Sequence, residues 1–316
     1  MTSLSVDPRH VLAAAKPRSR GKRRVWEGGV LTTLTLCAAF SVFITASIIY
    51  VLFSEAHKFF GMPGVTYREF FTGLEWNPLL GSTKHFGIWP LISGTFLVTG
   101  VAMCFALPCG LITAIFLSEY APRRLRAVLK PILEILAGIP TVVYGFFALT
   151  IITPSLQSVW SGVEVYNALS AGIAVGIMCL PIVVSLSEDA LQAVPRALRE
   201  GAYGVGGTRF DVSVKIVLPA ALSGIVAAFL LAFARAVGET MIVALAAGNM
   251  ARLTINPAES SQTMTAWMVQ IFLGDASNYG PEYLSSYAVA AMLFVITFIL
   301  TIVGHIIRVR FREAYQ

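Results

Sequence analysis

Residues 199–219 read REGAYGVGGTRFDVSVKIVLP, and they lie between two apolar runs, 169–187 and 220–247, each long enough to cross a bilayer. Pro195 suits the first turn of a helix. From there Ala197, Leu198, Gly201, Ala202 and Val205 recur at helical spacing as one face of small and apolar residues. Gly206-Gly207 is a stop signal for that helix. Thr208-Arg209-Phe210-Asp211 has the spacing of a capping box and opens a second helix. Two short helices joined by glycines and held between membrane spans make a rigid projection with a shallow apolar face. Such a projection suits either a protein partner or the membrane surface.

The rest of the chain requires a membrane. It is 56% hydrophobic and 13% charged, against roughly 25% charged in soluble domains. Six stretches are apolar over about the 20 residues a span needs: 28–53, 90–118, 131–153, 169–187, 220–247 and 286–307. Uninterrupted runs of this length predict helices, because barrel strands are shorter and alternate. The expected fold class is an all-α integral membrane protein with six transmembrane helices. A basic tail, 1–27, precedes a single membrane domain, 28–316.

Eighteen of the 23 Lys and Arg residues fall on one side of this arrangement: in the tail, in 119–130, in the 188–219 loop and after residue 307. The alternate loops carry only Lys58, Arg68, Lys84 and Arg252, and Arg235 lies inside a span. The positive-inside rule places both termini and the 188–219 loop in the cytoplasm. That distribution accounts for the net charge of +6 and excludes a nucleic-acid surface. The tail is expected to be retained and to lie near anionic lipid headgroups. Cys37, Cys104, Cys109 and Cys179 all fall within spans and read as free thiols, and the four scattered histidines suggest no metal site.

Of the outer loops, 54–89 is punctuated by Gly61, Pro63, Gly64, Pro78 and Gly81, with a short interfacial helix expected at Tyr67–Phe71, as an anchor or a docking surface. The loop 248–285 carries turn signals at Asn256-Pro257 and Asn278-Tyr279-Gly280-Pro281. Pro108, Pro140 and Pro181 are expected inside spans, and Gly138 and Gly145 where helices approach closely. Glu134 is expected to pair with Lys130, one turn earlier.

Two constellations carry the chemistry. In the loop, Glu200-Gly201-Ala202 is followed by three residues, Gly206, nine residues and Ile216-x-Leu218-Pro219. This spacing resembles the EAA loop of bacterial ABC importer permeases, with Gly201 where that family usually has Ala. The resemblance implies that Glu200, Gly201, Ala202, Gly206, Ile216, Leu218 and Pro219 form the helix that docks on an ATPase subunit. In the fifth span, Arg235 and Glu239 stand four apart, on one face of a continuous helix. Each charge costs about 2.5–3.5 kcal/mol at the bilayer centre on insertion scales, so they either pair with each other or line a polar pathway. A guanidinium offers several donors to a tetrahedral oxyanion. A carboxylate beside it favours a protonated phosphate over sulfate.

The segment Arg235-Ala236-Val237-Gly238-Glu239-Thr240-Met241, with Gly248-Asn249 after it, resembles the RAIGETM…GN segment of PstC-type phosphate permeases. The segments 86–90 (FGIWP), 116–122 (FLSEYAP) and 136–145 (LAGIPTVVYG) agree. The resemblance implies the type I ABC importer architecture in a bacterial inner membrane, with a substrate pathway through Arg235, Glu239 and Thr240. It also implies a PstA-type permease partner, two ATPase subunits and an extracytoplasmic phosphate-binding protein. The sequence has no GxxxxGK[ST] P-loop, so ATP and Mg are expected to be bound by the partner ATPases and this chain is not itself expected to be an enzyme. Two alternatives remain open: a permease for sulfate or molybdate, and a secondary transporter or channel without an ATPase.

Overall fold

The computed structural model describes residues 20–79, 84–275 and 280–310. Most of the basic tail, Gly81, Asn278-Tyr279 and Arg312 lie outside the described residues. The elements are α1 (Arg20–Phe60), α2 (Tyr67–Thr72), a two-stranded antiparallel ribbon of β1 (Trp76–Asn77) and β2 (His85–Phe86), and α3 (Trp89–Ile115). They continue with α4 (Arg123–Gly138), α5 (Thr141–Phe147), α6 (Thr153–Val159), α7 (Ala168–Gln192), α8 (Arg196–Gly204) and α9 (Arg209–Asp211). The last four are α10 (Leu218–Val237), α11 (Met241–Ala246), α12 (Met264–Gln270) and α13 (Pro281–Arg310). Single π-helical turns join several of these without a break, at Phe116–Tyr120 after α3, Ala148–Ile152 between α5 and α6, and Val212–Val217 between α9 and α10.

Among the described residues, six helices are long and apolar enough to cross a membrane: Trp26–Phe60, Trp89–Tyr120, Thr141–Val159, Ala168–Gln192, Arg209–Val237 and Pro281–Ile307. The described residues fall into two compact units, divided between Leu52 and Phe53. In the first, the described part is helix, and several of its hydroxyls are satisfied internally: Thr32, Thr33 and Thr35 each donate to the carbonyl four residues back.

In the second unit α3 and α7 form the central pair. The core between them is built of small residues, including Ala102, Ala106, Ala171, Ala174 and Cys179, to which α10 adds Ala232 and Ala236 and α11 adds Ile242 and Val243. Small side chains let backbones approach, which is how helices associate where lipid removes the hydrophobic drive. A Cβ on Gly172 would sit 2.6 Å from Val101 Cβ, and one on Gly176 would sit 2.9 Å from the Ala102 carbonyl. At one end an aromatic cluster covers the bundle: Phe59 meets Phe86 edge-on at 5.2 Å, and Trp76 meets Trp267 in the same way at 5.2 Å. The expected helix at Tyr67–Phe71 is present as α2, and its Phe70 is buried in that cluster.

Two spans differ from the sequence reading. The third begins at Thr141 and not at 131. Ile139 and Pro140 are both extended, so the helix that starts at Arg123 ends at Gly138. The cause is the clash that a proline ring imposes on the residue before it. The separate α4 that results has no buried residue. Gly145 does permit close approach, since a Cβ there would lie 2.9 Å from Leu245, whereas Gly138 has open space around it. The fifth span does not continue to 247. It stops at Val237, and α11 starts afresh at Met241. Lys130, in turn, reaches Glu188 at 3.6 Å and Asp189 at 3.9 Å; the Glu134 pairing expected for it is replaced by this contact with α7.

The N-terminus of α7 illustrates how breaks are repaired. Its first amides are orphan donors. Ala168 N donates to Glu259 O, Leu169 N donates to Pro257 O at 2.7 Å, and Ser170 N donates to the Asn167 side chain at 2.7 Å. The Asn256-Pro257 turn therefore docks on a helix end.

The tight α3 contacts give a paired test. Gly94→Val would place its Cβ 2.2 Å from the Gln262 carbonyl, while Gly100→Val on the same helix has nothing within 4 Å. The first is expected to cost about 1–3 kcal/mol or more, as overpacking does, and the second close to nothing. Thermal unfolding of the two purified variants in detergent checks this; equal midpoints would contradict the packing.

Candidate functional site

The 188–219 loop folds as two helices, as expected. Pro195 is extended and stands one position before the first helical residue, Arg196. The helix α8 ends in a Schellman motif: Gly207 N donates to Ala202 O at 3.1 Å and Gly206 N donates to Tyr203 O at 2.9 Å. Gly206 has φ +86°, a conformation that costs other residues roughly 1–2 kcal/mol. Thr208 then caps α9, accepting from Asp211 N at 3.2 Å and donating to its carboxylate at 2.5 Å.

The face of α8 divides in two. Leu198 and Ala202 turn inward and pack on a cluster that contains Leu117, Leu191, Val194 and Ile225, joined there by Leu218. Glu200, Gly201 and Gly206 are exposed, and Val205 is 88% exposed. Ile216 is exposed on the following π turn, and Pro219 opens α10. The structure thus brings Ala202 and Leu218 together in one core, and leaves Glu200, Gly201, Gly206 and Val205 as an outward surface with Tyr203 and Phe210 beside it.

Two ion pairs here have no local sequence signal, Arg199 with Glu119 and Arg126 with Glu188. Arg199 Nη1 donates to Glu119 at 2.5 Å and its Nη2 donates to the Leu191 carbonyl at 2.6 Å. The buried Glu188 accepts from Arg126 and from Gln192, each at 2.8 Å. The partners of the two carboxylates on α4 and α8 lie 62 and 80 residues away in the chain, beyond the reach of any spacing rule.

At the second constellation the helix break changes the geometry. Arg235 lies in the last turn of α10, Gly238 caps that helix, and Glu239 lies outside it. The two side chains do not share one helix face, and no ion pair to Arg235 occurs among the described residues. Glu239, 7% exposed, accepts from Met241 N at 3.2 Å and Ile242 N at 3.3 Å, and so caps α11. Its carbonyl accepts from Thr265 of α12 at 2.6 Å. Thr240 donates to the Gly238 carbonyl at 3.2 Å. Arg235 is exposed and touches the Met178 thioether at 3.7 Å, a weak acceptor. Its guanidinium keeps most of its donors for something other than a carboxylate of this chain.

Residues 106–313 match the family described as binding-protein-dependent transport system inner membrane component. The chain is 34% identical over 281 residues to the probable ABC transporter permease protein YqgH of Bacillus subtilis (strain 168), covering 89% of this chain and 90% of that relative. It is 34% identical over 262 residues to the phosphate transport system permease protein PstC of Mesorhizobium japonicum, covering 77% and 78%. Among solved structures, the bacterial ABC transporter involved in the import of the acidic polysaccharide alginate superposes with a TM-score of 0.65 at 14% identity, over 92% of this chain and 100% of that one. The fold is that of the ABC importer permeases, with six spans.

The cap on α11 is testable by itself. Glu239→Ala removes the acceptor for two amides and is expected to lower stability by about 1 kcal/mol, the usual cost of losing a cap. Glu239→Gln keeps an acceptor oxygen and is expected to unfold near the parent midpoint. Thermal unfolding in detergent measures both, and equal losses would mean that the charge, not the cap, is what matters.

Proposed function

The chain belongs to the family of inner membrane components of binding-protein-dependent transport systems, and we propose that it is the permease subunit of an ATP-driven phosphate importer. The observation that carries the choice of substrate class is Arg235. It is a guanidinium in a membrane span, exposed on the surface of this chain, with a thioether as its neighbour and no carboxylate partner among the described residues. An exposed, multi-donor cation at bilayer depth suits a tetrahedral oxyanion crossing between this chain and a second subunit. The PstC name of the Mesorhizobium relative supports phosphate as that anion.

In this reading the permease pairs with a PstA-type subunit, and two ATPase subunits bind ATP and Mg and hydrolyse the nucleotide. An extracytoplasmic phosphate-binding protein delivers cargo. The Lys and Arg distribution puts both termini and the 188–219 loop in the cytoplasm. There α8 presents Glu200, Gly201 and Val205 to an ATPase while Leu198 and Ala202 fasten it to the bundle.

Two substitutions test the two halves of this proposal in vesicles containing the whole complex. Arg235→Lys keeps the charge and loses the planar fork. Losing one charge-assisted hydrogen bond, about 1.5–3 kcal/mol, is expected to slow phosphate uptake by roughly ten- to a hundredfold with assembly intact. Uptake near the parent rate would remove Arg235 from the pathway. Gly201→Trp adds a large group where a Cβ meets nothing within 4 Å in this chain. It is expected to leave the permease folded and to abolish copurification of the ATPase. Normal recovery of the ATPase would rule out this face as the docking surface.

A further inference from the structure

The contact between Glu119 and Arg199 stands apart from both constellations. Glu119 lies in the π turn that ends the second span, and Arg199 lies in α8, immediately before Glu200. The pair is mostly enclosed, with side chains 7% and 19% exposed, and the contact is 2.5 Å. The guanidinium uses its second arm on the Leu191 carbonyl, in the last turn of α7. Ser118 donates to the same carboxylate oxygen of Glu119 at 2.9 Å. One side chain of α8 is thereby tied to two spans that form the central pair of the bundle.

Stability alone does not explain such a pair. A buried ion pair is often no better than apolar residues of the same volume, because desolvation offsets the attraction. What it supplies is direction: a charge-assisted bond with two arms fixes both distance and angle. The other attachments of α8 are weaker in this respect. It has two inward apolar residues, Leu198 and Ala202, a three-residue link from α7, and a glycine turn after it. A nine-residue helix held in that way can tilt. The helix α7, to which Arg199 is tied, also carries Met178, the neighbour of Arg235. One continuous helix thus runs from the loop to the neighbour of the guanidinium in the span.

We propose that Glu119 and Arg199 are positioning residues that clamp α8 to the ends of α3 and α7, so that displacement of α8 by a docked ATPase moves those spans as one body. This rests on the reading of α8 as the docking helix, and it adds the element through which docking is converted into movement. The prediction concerns the coupling ratio and not affinity or fold.

The experiment uses the complete importer in sealed vesicles, with ATP hydrolysis and phosphate uptake measured on the same preparation. Glu119→Gln and Arg199→Met are expected to assemble with the ATPase and to hydrolyse ATP. The number of ATP consumed per phosphate imported should rise by about tenfold, equivalent to about 1.4 kcal/mol of lost coupling. Arg199→Lys, which keeps the ion pair with one arm, should fall between these variants and the parent. An unchanged ratio in assembled Glu119→Gln and Arg199→Met complexes would overturn the clamp. So would loss of the ATPase from all three variants, since the pair would then serve docking or folding and not transmission. Failure of the parent complex to import phosphate on ATP would instead sink the proposed function, and recovery of the ATPase by Gly201→Trp would sink the docking face, each independently of the ratio.

Discussion

A backbone amide or carbonyl in lipid has no water to turn to, and that constraint organises this chain more than any single contact. It makes the spans helical and turns every interruption into a problem that a side chain or a loop must solve. Four solutions are visible. Asn167 and the Pro257 and Glu259 carbonyls receive the first amides of α7. Glu239 receives two amides of α11. Thr95 of α3 receives Met264 N, in the first turn of α12, at 3.0 Å. Tyr144, just past the Pro140 break, donates its hydroxyl to the Leu136 carbonyl at 2.8 Å. Many of the buried polar residues, Asn167, Ser170, Glu239 and Thr263 among them, stand where helices begin or end, and the helix interiors between the breaks are mostly apolar.

The parts of the fold readable from sequence were those set by local composition. Six long apolar runs, a capping box at Thr208 and a glycine stop at Gly206 depend on neighbours within a turn or two, and all appear as expected. The two misplaced span boundaries share a cause. Hydropathy alone does not register a backbone break at Pro140 or at Gly238, because apolar residues continue on both sides of it. Conformational restriction at Ile139 and a glycine C-cap at Gly238 ended helices that hydrophobicity would have extended, and the Glu239 carboxylate then starts α11. In the candidate site, Arg235 and Glu239 were visible as costly charges. Their relationship was not, since the four-residue spacing implies a shared face only if the helix continues. The ion pairs of Glu119 and Glu188 were illegible for a different reason: tertiary folding brings their partners together from distant positions.

The same break resolves how two charges occupy a span without pairing. The end of α10 presents its carbonyls near Arg235, and the start of α11 presents its amides to Glu239. Each charge thus sits at the helix end whose dipole favours it. Such placement contributes about 0.3–1 kcal/mol, and up to about 2 in partly buried sites, against an insertion cost of about 2.5–3.5 kcal/mol. For Glu239 the two amide hydrogen bonds add to the dipole, and the carboxylate can be buried. For Arg235 the dipole alone falls short, and the guanidinium stays on the surface of the chain. That difference leaves the cation available and the anion committed. On the proposed reading, an incoming phosphate meets a positive group that needs an oxyanion to complete its hydrogen bonding, with the nearby negative charge already held by a helix end and turned to structural use.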